Sequence, residues 1–217
     1  MYPMSGRPHK FFIHANVMNK DKLWNKILSA EQKNFPMCCS VASQAGDISN
    51  KDVKDKNLSD GHAYSLIAAK VLQLDNGQTE RLLQIRNPWG HKEWQGDWSD
   101  KSPKWTESTK RQVNLKDEND GTFWIAFKDY IRFFYITTIC FYNEDIVDSY
   151  VTDQHDLQSF GMCKFTLDQD HPDAMVIAVD QVNSRFVDET MLGHYQYPAV
   201  RLILTKLRNE TDPETQQ

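Results

Sequence analysis

Two short motifs flank a segment that is typical of a β-hairpin. Residues 63–74 are apolar and partly β-branched, and residues 81–86 form a second apolar run. Between them, residues 75–77 read Asp-Asn-Gly, which favours a tight turn because Asn and Gly tolerate a positive φ. His62 precedes the first predicted strand, and Asn87 follows the second. Since a hairpin brings its two open ends together, we expect the imidazole of His62 to lie beside the amide of Asn87.

The composition excludes several functional classes. A chain of 217 residues with 40% hydrophobic residues can form one or two domains with a buried core. The net charge of -5, with no basic cluster interleaved with aromatic residues, argues against a nucleic-acid partner. No apolar run approaches the roughly 20 residues that span a bilayer, and residues 1–10 lack the apolar core of a signal peptide. We therefore expect a cytoplasmic protein with no membrane span.

The segments before the hairpin predict a helix, a strand and a loop. Apolar residues recur at helical spacing over residues 20–34, with Asn19 or Asp21 available as the N-cap. The apolar run 37–42 then predicts a buried strand. Residues 44–60, rich in Asp, Asn, Ser and Lys, predict a surface loop.

The segments after the hairpin complete a mixed α+β pattern. Residues 89–105 contain four tryptophans, and we expect aromatic packing to hold this Trp-rich loop. Strand, helix and strand patterns follow at residues 122–126, 127–134 and 135–142, and residues 11–17 are compatible with a further strand. The resulting fold class is α+β, with a mainly antiparallel sheet and flanking helices over residues 1–143. Residues 144–217 predict an incomplete β-rich segment with a polar tail.

Several motifs between residues 23 and 143 occur in one order. They are Cys39-Ser40, residues 61–65 (Gly-His-Ala-Tyr-Ser), residues 85–90 (Ile-Arg-Asn-Pro-Trp-Gly), Glu93-Trp94, Gly96, residues 98–100 (Trp-Ser-Asp), Trp105 and residues 120–124 (Asp-Gly-Thr-Phe-Trp). Together they resemble the calpain family of calcium-dependent, papain-like cysteine proteases. The resemblance implies that residues 1–143 form the second lobe of the protease core. Residues 165–206 resemble, more weakly, the start of the β-sandwich that follows this core in many calpains.

The resemblance also assigns roles to three residues around the hairpin. His62 would be the general base that takes the proton from a cysteine thiol, and it would return that proton to the leaving amine. Asn87 would accept a hydrogen bond from the other ring nitrogen and so fix the tautomer of His62. Trp89 would shield this bond from water. For the other tryptophans, Trp94, Trp98, Trp105 and Trp124, we expect a packing role.

A calcium site in the same lobe is implied by the family. Carboxylates at Glu93, Asp100 and Asp120, with the main-chain carbonyl of Glu118, match its ligands and suit a hard cation. Thr122 stands where the family commonly has a further acidic ligand, which predicts a weakened site. The alternative is that these acidic residues only solvate loops.

The nucleophile of the family is missing from the sequence. Calpains carry it in a segment resembling Gln-Gly followed by Asp-Cys-Trp, which does not occur here. Cys38 and Cys39 fall on a predicted strand as small buried or half-buried residues, Cys140 lies in an apolar strand, and Cys163 lies beyond the core. All four are expected to be reduced thiols, because two of them are adjacent and form a poor disulfide framework. The chain alone is therefore expected to be proteolytically inert.

Three explanations would account for the missing catalytic cysteine. The chain could be a fragment or incomplete gene model of a larger calpain acting on intracellular proteins. It could be one lobe that pairs with a separate first lobe bearing the cysteine. It could instead be a non-catalytic, calpain-like scaffold that binds protein partners in a larger assembly.

Overall fold

The computed structural model describes residues 9–42 and 48–142. All of them lie in the first of the two units into which the chain divides, Met1–Val147. The predicted β-rich segment 144–217, including Cys163, lies outside the described residues. Its fold, and the domain boundary proposed at residue 143, therefore stay predictions.

Within the described residues, six strands and four helices form a mixed α+β fold. In chain order they are β1 (His9–Ile13), α1 (Lys20–Gln32), β2 (Met37–Val41), α2 (Asn50–Asp55), β3 (His62–Gln73), β4 (Thr79–Arg86), α3 (Glu107–Val113), β5 (Thr122–Ala126), α4 (Phe127–Phe133) and β6 (Ile136–Cys140). The strands form one antiparallel sheet in the order β1-β6-β2-β3-β4-β5. The predicted fold class, an antiparallel sheet with flanking helices, is confirmed for this part of the chain.

The β3–β4 hairpin has the predicted turn and register. Ser65 pairs with Arg86 near the open end, and Gln73 pairs with Thr79 beside the turn. Gly77 has a φ of +81°, the left-handed conformation that the Asp-Asn-Gly sequence predicts. Because the strands are antiparallel, the residues before β3 and after β4 meet at the open end of the hairpin.

A β-bulge in β3 sets which side of the sheet faces the main core. The pairing of β3 with β4 shifts at Ile67, which is an extra residue on β3. Tyr64 and Leu66 face the main core before the bulge, and Ala69 does so after it. Because side chains alternate along a strand, His62 lies on the same side of β3 as Tyr64.

Helix α1 covers the main core as its spacing predicts. Its apolar face is fully buried, with Leu23, Trp24 and Ile27 at 2% exposure or less. The side chain of Asn19 caps the helix by accepting a hydrogen bond from the Lys22 N–H at 3.0 Å. The predicted helix over residues 20–34 is confirmed, with its last two residues forming a turn.

The predicted loop 44–60 is wrong in part, since it contains helix α2. A capping box begins this helix: Ser49 accepts from the Asp52 N–H at 3.2 Å, and Asp52 accepts from the Ser49 N–H at 3.1 Å. Only Val53 is buried within its six residues, so the helix has no apolar repeat. A second capping box, of Thr106 and Thr109, begins α3 in another polar stretch.

The strand predicted over residues 11–17 is also shorter than expected. β1 ends at Ile13, and the chain enters a short 3₁₀ turn at His14–Asn16. His14 is 3% exposed, and its Nδ1–H donates to the Phe134 carbonyl at 2.6 Å. Its Nε2 is then the acceptor for the Thr137 hydroxyl at 2.7 Å. Burying this ring explains why the chain leaves the sheet here.

The Trp-rich loop is held by aromatic packing, as predicted. Trp98 and Trp105 meet edge to face with ring centroids 4.8 Å apart, and Trp94 meets Phe133 in the same way at 5.0 Å. Two indole N–H groups also donate to carbonyls within the loop. Packing roles are confirmed for the four tryptophans predicted to have them, since each is at most 7% exposed: Trp94, Trp98, Trp105 and Trp124.

We expect His14 to make the stability of the fold depend on pH. Burial lowers its pKa from 6.5 to about 4, and the charge of Lys20 acts in the same direction. The folded state therefore disfavours the charged ring. The stabilisation is complete above the unfolded pKa and is lost as the pH falls from 6.5 towards 4.

Between pH 7 and pH 4 this linkage removes about 3 kcal/mol of unfolding free energy. Urea unfolding of the wild type and of His14→Asn at several pH values measures it. The wild type should lose about 3 kcal/mol more than the variant over this interval, by the same linkage. Parallel pH profiles for the two proteins would contradict this expectation.

Candidate active site

His62 begins strand β3 and is half-buried at the open end of the β3–β4 hairpin. Gly61, immediately before it, has a φ of +63° and turns the chain into the strand. Val41 pairs with His62 across the neighbouring strand. The imidazole and the Tyr64 ring pack edge to face, with ring centroids 4.8 Å apart and an interplanar angle of 77°.

Asn87 follows strand β4 and is fully buried. Its Oδ1 lies 2.9 Å from Nε2 of His62, so the two residues at the open end of the hairpin are hydrogen-bonded. The sequence prediction that these side chains meet is therefore confirmed as geometry.

The contacts of the Asn87 amide fix its orientation. Its Nδ2 donates to the carbonyls of His91 and Lys92, at 2.7 and 3.2 Å, so both amide hydrogens face the following loop. Its Oδ1 also accepts from the Trp89 N–H at 3.1 Å. The oxygen must then face His62, and the hydrogen of their bond belongs to Nε2. In the neutral ring, the Nδ1 lone pair is left available as a base.

Trp89 lies against the face of the His62 ring. Their centroids are 4.0 Å apart with an interplanar angle of 32°, while the indole remains 51% exposed. The imidazole therefore packs between this indole and the Tyr64 ring. Trp89 thus contacts the ring beside the bond that it is predicted to shield, and the shielding role stays a prediction.

The Asn87 backbone rests on a tight turn at Gly121. The Asn87 N–H donates to the Gly121 carbonyl at 2.8 Å, and the Gly121 N–H donates to Oε1 of Glu93 at 2.8 Å. Gly121 has a φ of +85°, and a Cβ there would lie 2.7 Å from the Asn87 carbonyl oxygen and 2.9 Å from Cα of Gly90. Sequence reasoning missed this support, although the Asp-Gly pair before β5 signals a turn.

The acidic side chains near this turn repel one another electrostatically. Burial of the Asp100 carboxyl raises its pKa to about 7, and the charges of Glu93, Asp117 and Asp120 add to the shift. Its Oδ2 is buried and has no hydrogen-bond partner. Asp120 is exposed, and its Oδ1 accepts from the Thr122 N–H at 2.7 Å. Asp117 was not among the predicted ligands.

A comparison with known protein families identifies the family to which the chain belongs. Residues 1–141, well over half of the chain, match the calpain family cysteine protease domain. The chain belongs to the calpain family. The expectation drawn from its sequence motifs is therefore confirmed at the level of the family.

Individual calpains match over shorter stretches. Calpain clp-1 of Caenorhabditis elegans is 44% identical over 92 residues, which is 41% of this chain and 12% of that protein. The calpain-1 catalytic subunit of Mus musculus is 38% identical over 131 residues, and the calpain-2 catalytic subunit of Homo sapiens is 34% identical over 130. Each of these two matches covers 58% of this chain and 18% of the relative. The chain thus spans less than a fifth of these calpains.

The calpain family is calcium-dependent, which bears on the acidic residues. Across residues 9–42 and 48–142, no three His, Cys, Asp or Glu side chains are close enough to hold a metal ion by themselves. The donors nevertheless suit calcium, because they are carboxylates that can be joined by main-chain carbonyls. The unpartnered Oδ2 of Asp100 fits a cation. Glu118 is exposed, and its role stays a prediction.

The cysteines of the described residues, Cys38, Cys39 and Cys140, all lie on strands. Cys39 is 1% exposed and pairs with Tyr64, whose carbonyl lies 3.8 Å from its Sγ. Cys38 pairs with Ser65, and Cys140 is buried at the end of β6. Burial raises the pKa of both Cys38 and Cys39, which disfavours the reactive thiolate. Their predicted place as buried or half-buried strand residues is confirmed.

The described part of this calpain chain has no helix that is long and apolar enough to cross a membrane.

Proposed function

We propose that this chain supplies the base and its orienting amide to a calpain-type cysteine endopeptidase. One observation carries the proposal: Nε2 of His62 lies 2.9 Å from Oδ1 of Asn87, whose amide is oriented by other contacts. That arrangement leaves Nδ1 of the neutral ring to take a proton from a thiol. Its substrates would be intracellular proteins.

In this proposal His62 moves one proton in both directions. Nδ1 takes the proton from the cysteine S–H, which gives a thiolate and an imidazolium. The thiolate attacks the scissile carbonyl carbon, and Nδ1–H returns the proton to the leaving amine as the C–N bond breaks. Water then hydrolyses the resulting thioester with the same base. Asn87 keeps the hydrogen bond to Nε2 throughout, without adding a charge that would overstabilise the imidazolium.

The nucleophile is proposed to come from a first lobe, on the same polypeptide or on a partner chain. The described cysteines support this, because Cys39 and Cys140 are buried and burial raises the pKa of the Cys38 and Cys39 thiols. The oxyanion that forms when the thiolate attacks a carbonyl also needs a hydrogen-bond donor, which the family carries beside its cysteine. His62 and Asn87 would then complete a site between two lobes.

Pairing the chain with a calpain first lobe that bears the cysteine tests the proposal. We expect a thiol-reactive peptide probe to label that cysteine in the presence of calcium, and labelling to require this chain. A first lobe mixed with His62→Ala chain is the matched control. If no pairing is labelled and the native chain is instead recovered as a stoichiometric part of a stable complex, the non-catalytic scaffold is the better description.

We also propose a calcium site formed by the carboxylates of Glu93, Asp100 and Asp120 with the Glu118 carbonyl. The unpartnered oxygen of Asp100 and the mutual repulsion of these acids support it. Bound calcium would neutralise this repulsion and order the loops that carry the ligands. Thr122 leaves the set one carboxylate short of the family pattern, so we expect modest affinity.

Calcium should therefore raise the thermal stability of the wild-type chain. At a concentration of about 100 times the dissociation constant, the gain would be about 2.7 kcal/mol. Asp100→Asn should lose most of this gain, whereas Glu107→Gln, an exposed acid paired with Lys110, should retain it. Melting curves with calcium, magnesium and EGTA provide the measurement. A full calcium shift in Asp100→Asn would remove that residue from the proposed site.

A further inference from the structure

A connected set of hydrogen bonds that includes the Glu93 carboxylate holds Asn87 in place. Its N–H donates to the Gly121 carbonyl at 2.8 Å, and the Gly121 N–H donates to Oε1 of Glu93 at 2.8 Å. Lys92, the residue before Glu93, accepts from Nδ2 of Asn87 at 3.2 Å. Lys92 therefore holds the side chain of Asn87 directly, and Glu93 supports its backbone through Gly121.

The loop that carries Lys92 and Glu93 contains backbone strain and needs an anchor. Lys92 has a φ of +60°, a left-handed conformation that is unfavourable for a residue with a Cβ. Glu93 anchors the loop on two sides. Its carbonyl accepts from Nδ2 of Asn57 at 3.0 Å, and its carboxylate accepts from the Gly121 N–H. The second contact joins residues that are 28 positions apart in the chain.

We propose that Glu93 is a positioning residue for Asn87, and through Asn87 for His62, even when no calcium is bound. The inference rests on the proposed function, in which His62 and Asn87 form the catalytic pair. It gives Glu93 a role beyond that of a calcium ligand. The Gly121 N–H uses one lone pair of Oε1, and the remaining lone pairs of the carboxylate are free to bind a cation, so the two roles are compatible.

The two roles of Glu93 are separable by substitution. Glu93→Gln removes the charge and keeps an Oε1 acceptor for the Gly121 N–H. Glu93→Ala removes both the charge and the acceptor. Positioning therefore predicts that the two variants differ in EGTA, whereas a role only in calcium binding predicts that neither disturbs Asn87 there.

Amide hydrogen exchange in the full 217-residue chain, followed by NMR in EGTA, tests the proposal. We expect Glu93→Ala to speed exchange of the Asn87 amide by roughly fivefold relative to the amides of β3 and β4, which is the value of one hydrogen bond. Glu93→Gln should stay within about twofold of the wild type by the same reasoning. Asp100→Asn, which removes a neighbouring acid but no bond to Gly121, should also leave the Asn87 amide protected.

Three results would overturn the proposal. They are an unchanged Asn87 amide in Glu93→Ala, a uniform rise in exchange across β3 and β4, and equal effects of the Ala and Gln substitutions. The readout needs neither thiol nor substrate. A negative exchange result would therefore count against the positioning role of Glu93 and not against the proposed function. A negative labelling result would count against the proposed function and not against the contacts of Glu93.

Discussion

Replacing His62 by alanine should abolish nearly all activity of the core completed by a first lobe. Without its Nδ1, nothing in this lobe takes the thiol proton or returns it to the leaving amine. The expected loss in kcat/KM is about 10⁴-fold or more, the range found for other catalytic triads. Peptide hydrolysis by matched preparations of the reconstituted core, with equal amounts of cysteine-bearing lobe, provides the measurement.

The matched control is His91→Ala, since this exposed histidine contacts Asn87 through its main-chain carbonyl, while its ring contacts Trp89. It should lose less than about tenfold, because a side-chain truncation that spares this carbonyl removes no proton carrier. Comparable losses for His62→Ala and His91→Ala would show that the loop, and not the base, limits the reaction.

Replacing Gly121 by alanine should destabilise the lobe and displace Asn87 together. The new Cβ would lie 2.7 Å from the Asn87 carbonyl oxygen at a φ of +85°. The left-handed conformation and the backbone clash together cost about 3 kcal/mol. Urea unfolding at pH 7 measures this loss, and the activity of the reconstituted core should fall with it.

Gly77→Ala separates the clash from the conformational cost. Gly77 has nearly the same φ, +81°, but a Cβ there would meet nothing within 4 Å. The control should therefore lose only about 1 kcal/mol. If Gly121→Ala is no more destabilised than Gly77→Ala, the close approach of Gly121 to Asn87 and Gly90 does not support the site.

The hairpin could be predicted because its signals are local. The apolar runs of β3 and β4 and the turn at residues 75–77 are adjacent in sequence, so each strengthens the others. The contact between His62 and Asn87 follows directly from that hairpin. Helix α2 could not be predicted in the same way, since Val53 is its only buried residue and its stability depends on a capping box.

The finer geometry of the site depends on contacts that no local pattern contains. The orientation of the Asn87 amide is set by carbonyls of His91 and Lys92, whose direction depends on the path of the loop. The support from Gly121 and Glu93 joins distant turns. Residue types could suggest a calcium site, but the buried, unpartnered oxygen of Asp100 becomes visible only once the acids have been placed in the fold.

The most direct test of the His62–Asn87 arrangement is the location of the imidazole proton. Nitrogen-15 NMR of the full chain, at a pH where the ring is neutral, should show His62 protonated at Nε2 and unprotonated at Nδ1. The Nε2 proton should exchange slowly with water, and this slow exchange should disappear in Asn87→Ala. A proton on Nδ1, or equally rapid exchange in the wild type and Asn87→Ala, would contradict the proposed base.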